Sequence, residues 1–298
     1  MNNHTPKKQR LNIIDLQSTD NTTSIEIVPQ RGAIVSSWKV NRHQELLFQH
    51  QYFWDENLND LPGGIPFCFP NCGRLELNDQ LGRYQVDNKT YNMPIHGFAW
   101  QLPWTIEDQQ SDSIQLALQS STQTRMLYPF DFKVQLIYRV TSNQILCQQR
   151  FCNTGNTPMP YSAGFHPYFL TEPKQEYTID FNATQRYQYN NQLTEVAPHT
   201  SLLKLPQALS APEINEQLNK LSALSAIEIS HPKKGRIIIQ SESKQFNHLQ
   251  LYTDPELPFF CAEPWMSPPN ALNHPESCQW LAPGQQHQST LRFKFQAN

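Results

Sequence analysis

The amino-acid sequence predicts an all-β fold, a large antiparallel β-sandwich with few short helices. Three observations predict it. Apolar and polar residues alternate with a period of two along many short segments. The 23 prolines are scattered between those segments, as expected of residues confined to strand ends, edges and turns. Helical periodicity is scarce.

Taken in order, the first 20 residues are polar and hold the one basic cluster, Lys7, Lys8 and Arg10. They are expected to form a loosely ordered extension. Ile25 and Ile27 begin the alternation. Ile114, Leu116 and Leu118 continue it, then Val134, Leu136, Tyr138 and Val140. Ser210-Ala211-Pro212-Glu213 has the spacing of a capping box, with Ile214, Leu218 and Leu221 following on one helical face. That predicts a short surface helix. Gly235 opens an apolar run, Ile237-Ile238-Ile239 after Arg236, read as a buried strand. Leu249, Leu251 and Thr253 form another strand, and Leu291, Phe293 and Phe295 close the series. Such strands pack face to face as antiparallel sheets. There is no internal repeat, low-complexity tract or long linker, so residues 1–298 are expected to be one domain.

Composition narrows the partners. The formal net charge is -3, charged residues make up 16%, and no run of like charges stands out. This argues against a nucleic-acid partner. The N-terminal region lacks the apolar stretch of a signal peptide, and no segment is apolar enough to span a membrane. A cytoplasmic protein without a membrane partner is the expectation. The six cysteines are Cys68, Cys72, Cys147, Cys152, Cys261 and Cys278. They form no C-x-x-C pair and no zinc-finger spacing, so buried free thiols and no metal are expected.

Three distant stretches carry the chemistry. The first runs from Gly63 through Pro66 and Pro70 to Gly73-Arg74; the second is Ile95-His96-Gly97-Phe98; the third pairs Gly164-Phe165-His166-Pro167-Tyr168-Phe169 with Cys261-Ala262-Glu263-Pro264-Trp265. Each sets a polar or ionisable group among Gly, Pro and aromatic residues, which fix unusual backbone at strand ends. Aromatic faces cover the apolar side of a sugar ring, and a carboxylate and an imidazole on separate turns can act as base and acid. Glu263 follows an apolar segment and precedes Pro264-Trp265. On position alone it is either a desolvated base or an idle, solvated strand-end carboxylate. His166 is either an acid or a structural imidazole among aromatics, and His96 either a polar clamp or a turn-stabilising group. Arg74 can fork onto sugar hydroxyls or lie free at the surface, and Arg83 is a weaker alternative. The glycines do not form a phosphate-binding G-x-x-x-x-G-K-[ST] loop.

Together these stretches resemble the aldose 1-epimerase (galactose mutarotase-like) family, near its branch of hexose-6-phosphate 1-epimerases. The resemblance runs from about residue 20 to the C-terminus, and it implies the mutarotase-like supersandwich. It also implies roles. E-P-W at Glu263 looks like the family's base segment and F-H-P-Y-F at His166 like its acid segment. His96 matches the histidine that bonds the sugar near its ring oxygen. Arg74 and Trp265 are candidate sugar contacts, and Trp100, which departs from the family, either stacks on the sugar or simply packs. Two departures stand out. Trp100 follows H-G-F-A where many sugar-phosphate relatives carry Arg, which argues against a phosphorylated substrate. Asn215 is the best match to a substrate-binding Asp of the family.

The expected reaction interconverts the α and β anomers of a free aldose. Glu263 takes the C1 hydroxyl proton, His166 protonates the ring oxygen, the ring opens, and reclosure on the other face reverses the transfers. No cofactor is required. The expected partner is a small-molecule sugar, and the protein is a monomer or a homodimer. Rival readings are a hexose-6-phosphate 1-epimerase, with Arg74, Arg83 and Lys89 near the phosphate, and a non-catalytic sugar-binding or sensor protein on the same fold.

Overall fold

A computed structural model describes residues 11–55 and 60–298. Two large antiparallel sheets dominate. One has nine strands in the order Thr105–Gln109, Ser113–Gln119, Phe132–Thr141, Gln144–Asn153, Gln286–Gln296, Gly235–Ser241, Ile227–His231, Thr178–Phe181, Gln207–Ala208. The other has eight-strand order Val196–Pro198, Ala183–Tyr189, Gln217–Leu221, His248–Tyr252, Phe259–Trp265, Gly164–Phe165, Phe67–Cys68, with Tyr168–Leu170 also paired to Phe259–Trp265. A four-stranded sheet, Ile14–Gln17, Ser24–Val28, Ile34–Val40 and Gln44–Glu45, adds to these.

The alternation explains the layers. In Phe132–Thr141 every second side chain is buried, and in Gln144–Asn153 likewise. The buried set from the nine-stranded sheet (Leu116, Leu136, Ile237, Phe293) joins Leu251 and Phe260 of the eight-stranded sheet in one apolar cluster. Burial of that shared face holds the sandwich together.

Three expectations change. The strand Ile14–Gln17 pairs with Ser24–Val28 and buries Ile14 and Leu16. The extension expected over residues 1–20 therefore does not include this strand, while residues 1–10 lie outside the described residues. The segment after Ser210 is no helix beyond the single turn Pro212–Ile214. Gln217–Leu221 is a strand, paired on both sides. The α-helix is instead Thr122–Leu127, capped reciprocally by Ser121 and Thr124. Finally, Gly235–Ser241 buries one face only.

Candidate active site

The site grows from the strand Phe259–Trp265. Phe260 and Ala262 face the shared core. By the period of two, Cys261, Glu263 and Trp265 share the opposite face. On one flank Gln250 pairs in register with Glu263, and Tyr252 with Cys261. On the other flank Gly164 pairs with Trp265 and Tyr168 with Cys261, so His166 sits in the turn between them. That turn is pinned by backbone bonds from His166 N–H to Pro66 O (3.0 Å) and from Tyr168 N–H to Gly64 O (2.8 Å). Gly164 is required there: a Cβ would stand 2.6 Å from Trp265 Cδ1 and 2.7 Å from Cys72 Sγ.

His96 reaches the same place from a left-handed backbone, with φ 60°. Gly97 follows at φ 75°, its Cα so close to Phe69 O that no Cβ fits. His96 and Gly73 bond reciprocally: His96 N–H donates to Gly73 O (3.0 Å), and Gly73 N–H donates to His96 Nδ1 (3.2 Å). Nδ1 is therefore an acceptor, and the neutral ring carries its proton on Nε2. Burial pushes the His96 pKa down to about 3, aided by the nearby Arg74 charge. The ring meets His166 edge-to-face at 5.1 Å and Trp265 at 5.8 Å.

His166 Nε2 stands 3.3 Å from Glu263 Oε1, with side chains only 6% and 1% exposed. Burial holds the Glu263 pKa well above the usual carboxylate range, and Glu216 and Cys72 push the same way. Burial likewise holds His166 well below the usual imidazole range, with His96 adding to it. Both directions favour the uncharged forms. The pair thus favours holding one proton, on the carboxyl side. The Trp265 indole offsets part of the Glu263 shift without reaching hydrogen-bond geometry. Tyr168 stacks under His166 at 4.7 Å, with the planes 16° apart.

A polar wall completes the cleft, a cavity of about 350 Å³ that falls within the usual size of small-molecule sites. Tyr189 O–H donates to Gln250 Oε1 (2.8 Å), and Gln250 Nε2 donates to Glu216 Oε2 (3.4 Å). Burial raises the Glu216 pKa, while Arg74 opposes the shift. Asp60 and Arg74 lie at the exposed rim. Arg74 is the one Lys or Arg among the described residues of the lining, and neither Arg83 nor Lys89 belongs to it. Lys89 Nζ lies over the Tyr91 ring at 5.1 Å.

Glu263, His166, His96, Arg74 and Trp265, all singled out from the sequence, therefore meet in one cleft. Two others do not. Asn215 Oδ1 accepts Thr253 N–H (2.9 Å), and its residue lines a separate groove with Pro212 and Pro258. Its neighbour Glu216, at φ 49°, faces the cleft instead. Trp100 lies behind the wall, packed with Leu61 and Tyr168, and donates its indole N–H to Ile95 O (3.3 Å). It cannot stack on a ligand in the cleft. Glu216, Gln250, Tyr189, Tyr252 and Asp60 were missed from the sequence. For Gln250 and Tyr252 the signal was present, since they alternate with Leu249 and Leu251.

The six cysteines are free, four of them buried. His166, Cys261 and Glu263 are the group among the described residues able to converge on a metal ion. No helix of the described residues is long and apolar enough to cross a membrane.

The likeness to known proteins runs along the chain. The Slr1438 protein of Synechocystis sp. PCC 6803 is 27% identical, with a TM-score of 0.87 over 100% of both chains. A galactose mutarotase related enzyme of Lactobacillus acidophilus is 22% identical, with a TM-score of 0.78 over 95% of this chain and 98% of that one. An Escherichia coli K12 protein provisionally named glucose-6-phosphate 1-epimerase is 28% identical over 137 residues, 45% of this chain and 42% of its own. The family model for aldose 1-epimerase matches residues 14–294, nearly the whole length, and the chain belongs to that family.

Proposed function

We propose that the protein is an aldose 1-epimerase that interconverts the anomers of a free, unphosphorylated aldose. The observation that carries this reading is the buried pair His166–Glu263, with 3.3 Å between Nε2 and Oε1 inside a sugar-sized cleft. Anomer exchange needs one proton removed at the C1 hydroxyl and one delivered to the ring oxygen. A pair that holds a single mobile proton can do both. When the sugar binds, the proton shifts from Glu263 to His166. Glu263 then takes the C1 hydroxyl proton, His166 protonates the ring oxygen, and the C1–O5 bond opens. Rotation about C1–C2 presents the other carbonyl face, and reclosure returns both protons. His96, a neutral Nε2–H donor, steadies charge near the ring oxygen. Glu216, Gln250 and Arg74 orient hydroxyls, and Trp265 covers an apolar ring face.

The charge of the cleft supports a neutral substrate. Asp60 and Glu216 line it, burial holds Glu263 uncharged, and Arg74 is the one guanidinium among the described residues of the lining. A phosphate dianion needs a cationic pocket. The sugar-phosphate reading is favoured by the name of the Escherichia coli relative and is the second reading.

Exchange spectroscopy by NMR, following α and β anomer signals of glucose, galactose and glucose 6-phosphate, tests the assignment. Faster exchange on a free sugar than on the phosphate is expected. Faster exchange on the phosphate alone would move the assignment to the second reading. Ligand binding with no acceleration on any sugar would make the protein a binding module.

A further inference from the structure

The strand that carries Glu263 also carries Cys261, two residues earlier and on the same face. One ligand atom each from Cys261, His166 and Glu263 lie within 4.8 Å of one another, and all three residues are buried. We propose that this trio binds a thiophilic divalent cation of the Zn²⁺ or Cd²⁺ class, which displaces the sugar and inhibits the enzyme. The inhibition rests on the acid–base reading above; the binding does not.

The donor set fits such a cation. A thiolate, an imidazole nitrogen and a carboxylate oxygen are the usual zinc ligands, and three protein ligands leave a fourth position open. Bond lengths of about 2.0–2.3 Å in a tetrahedral site put ligand atoms about 3.3–3.8 Å apart. The His166 and Glu263 atoms already stand at 3.3 Å. Cys261 closes the rest by a side-chain movement beneath the cleft lining, where it packs with Tyr168 and Phe259.

A further observation points to a ligand. Glu263 Oε2 is buried with no hydrogen-bond partner among the described residues, although Glu263 lines the cleft. An unsatisfied buried oxygen is costly, and a carboxylate can turn either oxygen to a cation.

The test is a titration of the full chain, freed of metal by a chelator, with Cd²⁺. Absorption from thiolate-to-cadmium charge transfer reports the bond to sulfur. One equivalent is expected to give the band in wild type and in Cys72→Ala, which controls for the neighbouring thiol. Cys261→Ala is expected to lose the band, keep its unfolding temperature within a few degrees, and resist Cd²⁺ inhibition of anomer exchange at least tenfold better. Cys261→Ser serves as the second variant should the alanine form not fold. The absence of a band in wild type, or a band that survives in folded Cys261→Ala, would overturn the proposal. A Cys261-dependent band in a protein without epimerase activity would sink the functional reading and leave the metal site standing.

Discussion

His166 Nε2 and Glu263 Oε1 stand 3.3 Å apart in a nearly solvent-free setting, on two segments joined by the strand pairing of Tyr168 with Cys261. Their separation is set by the sheet, not by flexible loops. An acid and a base fixed this closely in low dielectric share a proton, and either can hold it as the reaction demands.

Each member is therefore expected to be indispensable. Glu263→Gln and His166→Asn should each lower kcat/KM by about 10²–10⁴-fold. The double variant should lose little more than the worse single one, because the two act as a unit. Multiplying losses would show that they work independently.

The pH profile follows from the two shifts. Activity requires the pair to hold one proton. His166 lies below its ordinary value, so the second proton binds only at acidity well below pH 6.5. Glu263 lies above its ordinary value, so the single proton leaves only well above pH 4.5. The kcat/KM profile should have its acid limb well below 6.5 and its alkaline limb well above 4.5, both belonging to the pair as a whole. An acid limb at 6.5 or higher, after correction for the uncatalysed reaction, would contradict the coupling.

Glu216 rather than Asn215 should govern sugar affinity. Glu216→Gln removes a charged acceptor and is expected to raise KM by about 10–100-fold, with kcat changed less. Asn215→Ala should leave KM within about twofold, since its amide bonds Thr253 N–H outside the cleft. Steady-state kinetics on one sugar separate the two.

Buried neutral histidines should make the protein acid-sensitive. Burial takes His248 from 6.5 down to about 4. The folded value lies below the unfolded one, so the unfolded chain binds the proton first as pH falls through 6.5. Stability is lost on the acid side, by about 2 kcal/mol from this residue between pH 7 and 5. Glu263, shifted upward, acts in the opposite direction above pH 4.5. Urea unfolding at both pH values should show a smaller loss for His248→Gln than for wild type. Equal losses would remove His248 from the account.

Much of the fold was legible because half-buried strands repeat every two residues, as in Val134–Val140 and Leu291–Phe295. The cleft residues Glu263, His166, His96 and Arg74 were legible because Gly, Pro and aromatic neighbours mark them. The errors have physical causes. Ile214, Leu218 and Leu221 fit helical spacing, yet Leu218 packs with Trp265 and Leu221 with the shared core. Those are opposite faces of a strand, and pairing with Ala183–Tyr189 and His248–Tyr252 overrides the local capping signal. Glu216 was missed in favour of Asn215 because its left-handed φ of 49° redirects the chain by one residue. Of the two roles open to Trp100, stacking on a sugar or packing, the structure shows packing: the chain turns it inward, with Gly32 pressed against its backbone.

If the His166–Glu263 pair drives anomer exchange, removing either member stops it. Polarimetry of freshly dissolved α-D-glucose and α-D-galactose, with wild type, Glu263→Gln and His166→Asn, decides this. Wild type is expected to accelerate the approach to equilibrium rotation on at least one sugar. Both variants, folded by circular dichroism, should show the uncatalysed rate within about one-hundredth of the wild-type acceleration. Full acceleration by either folded variant would contradict it.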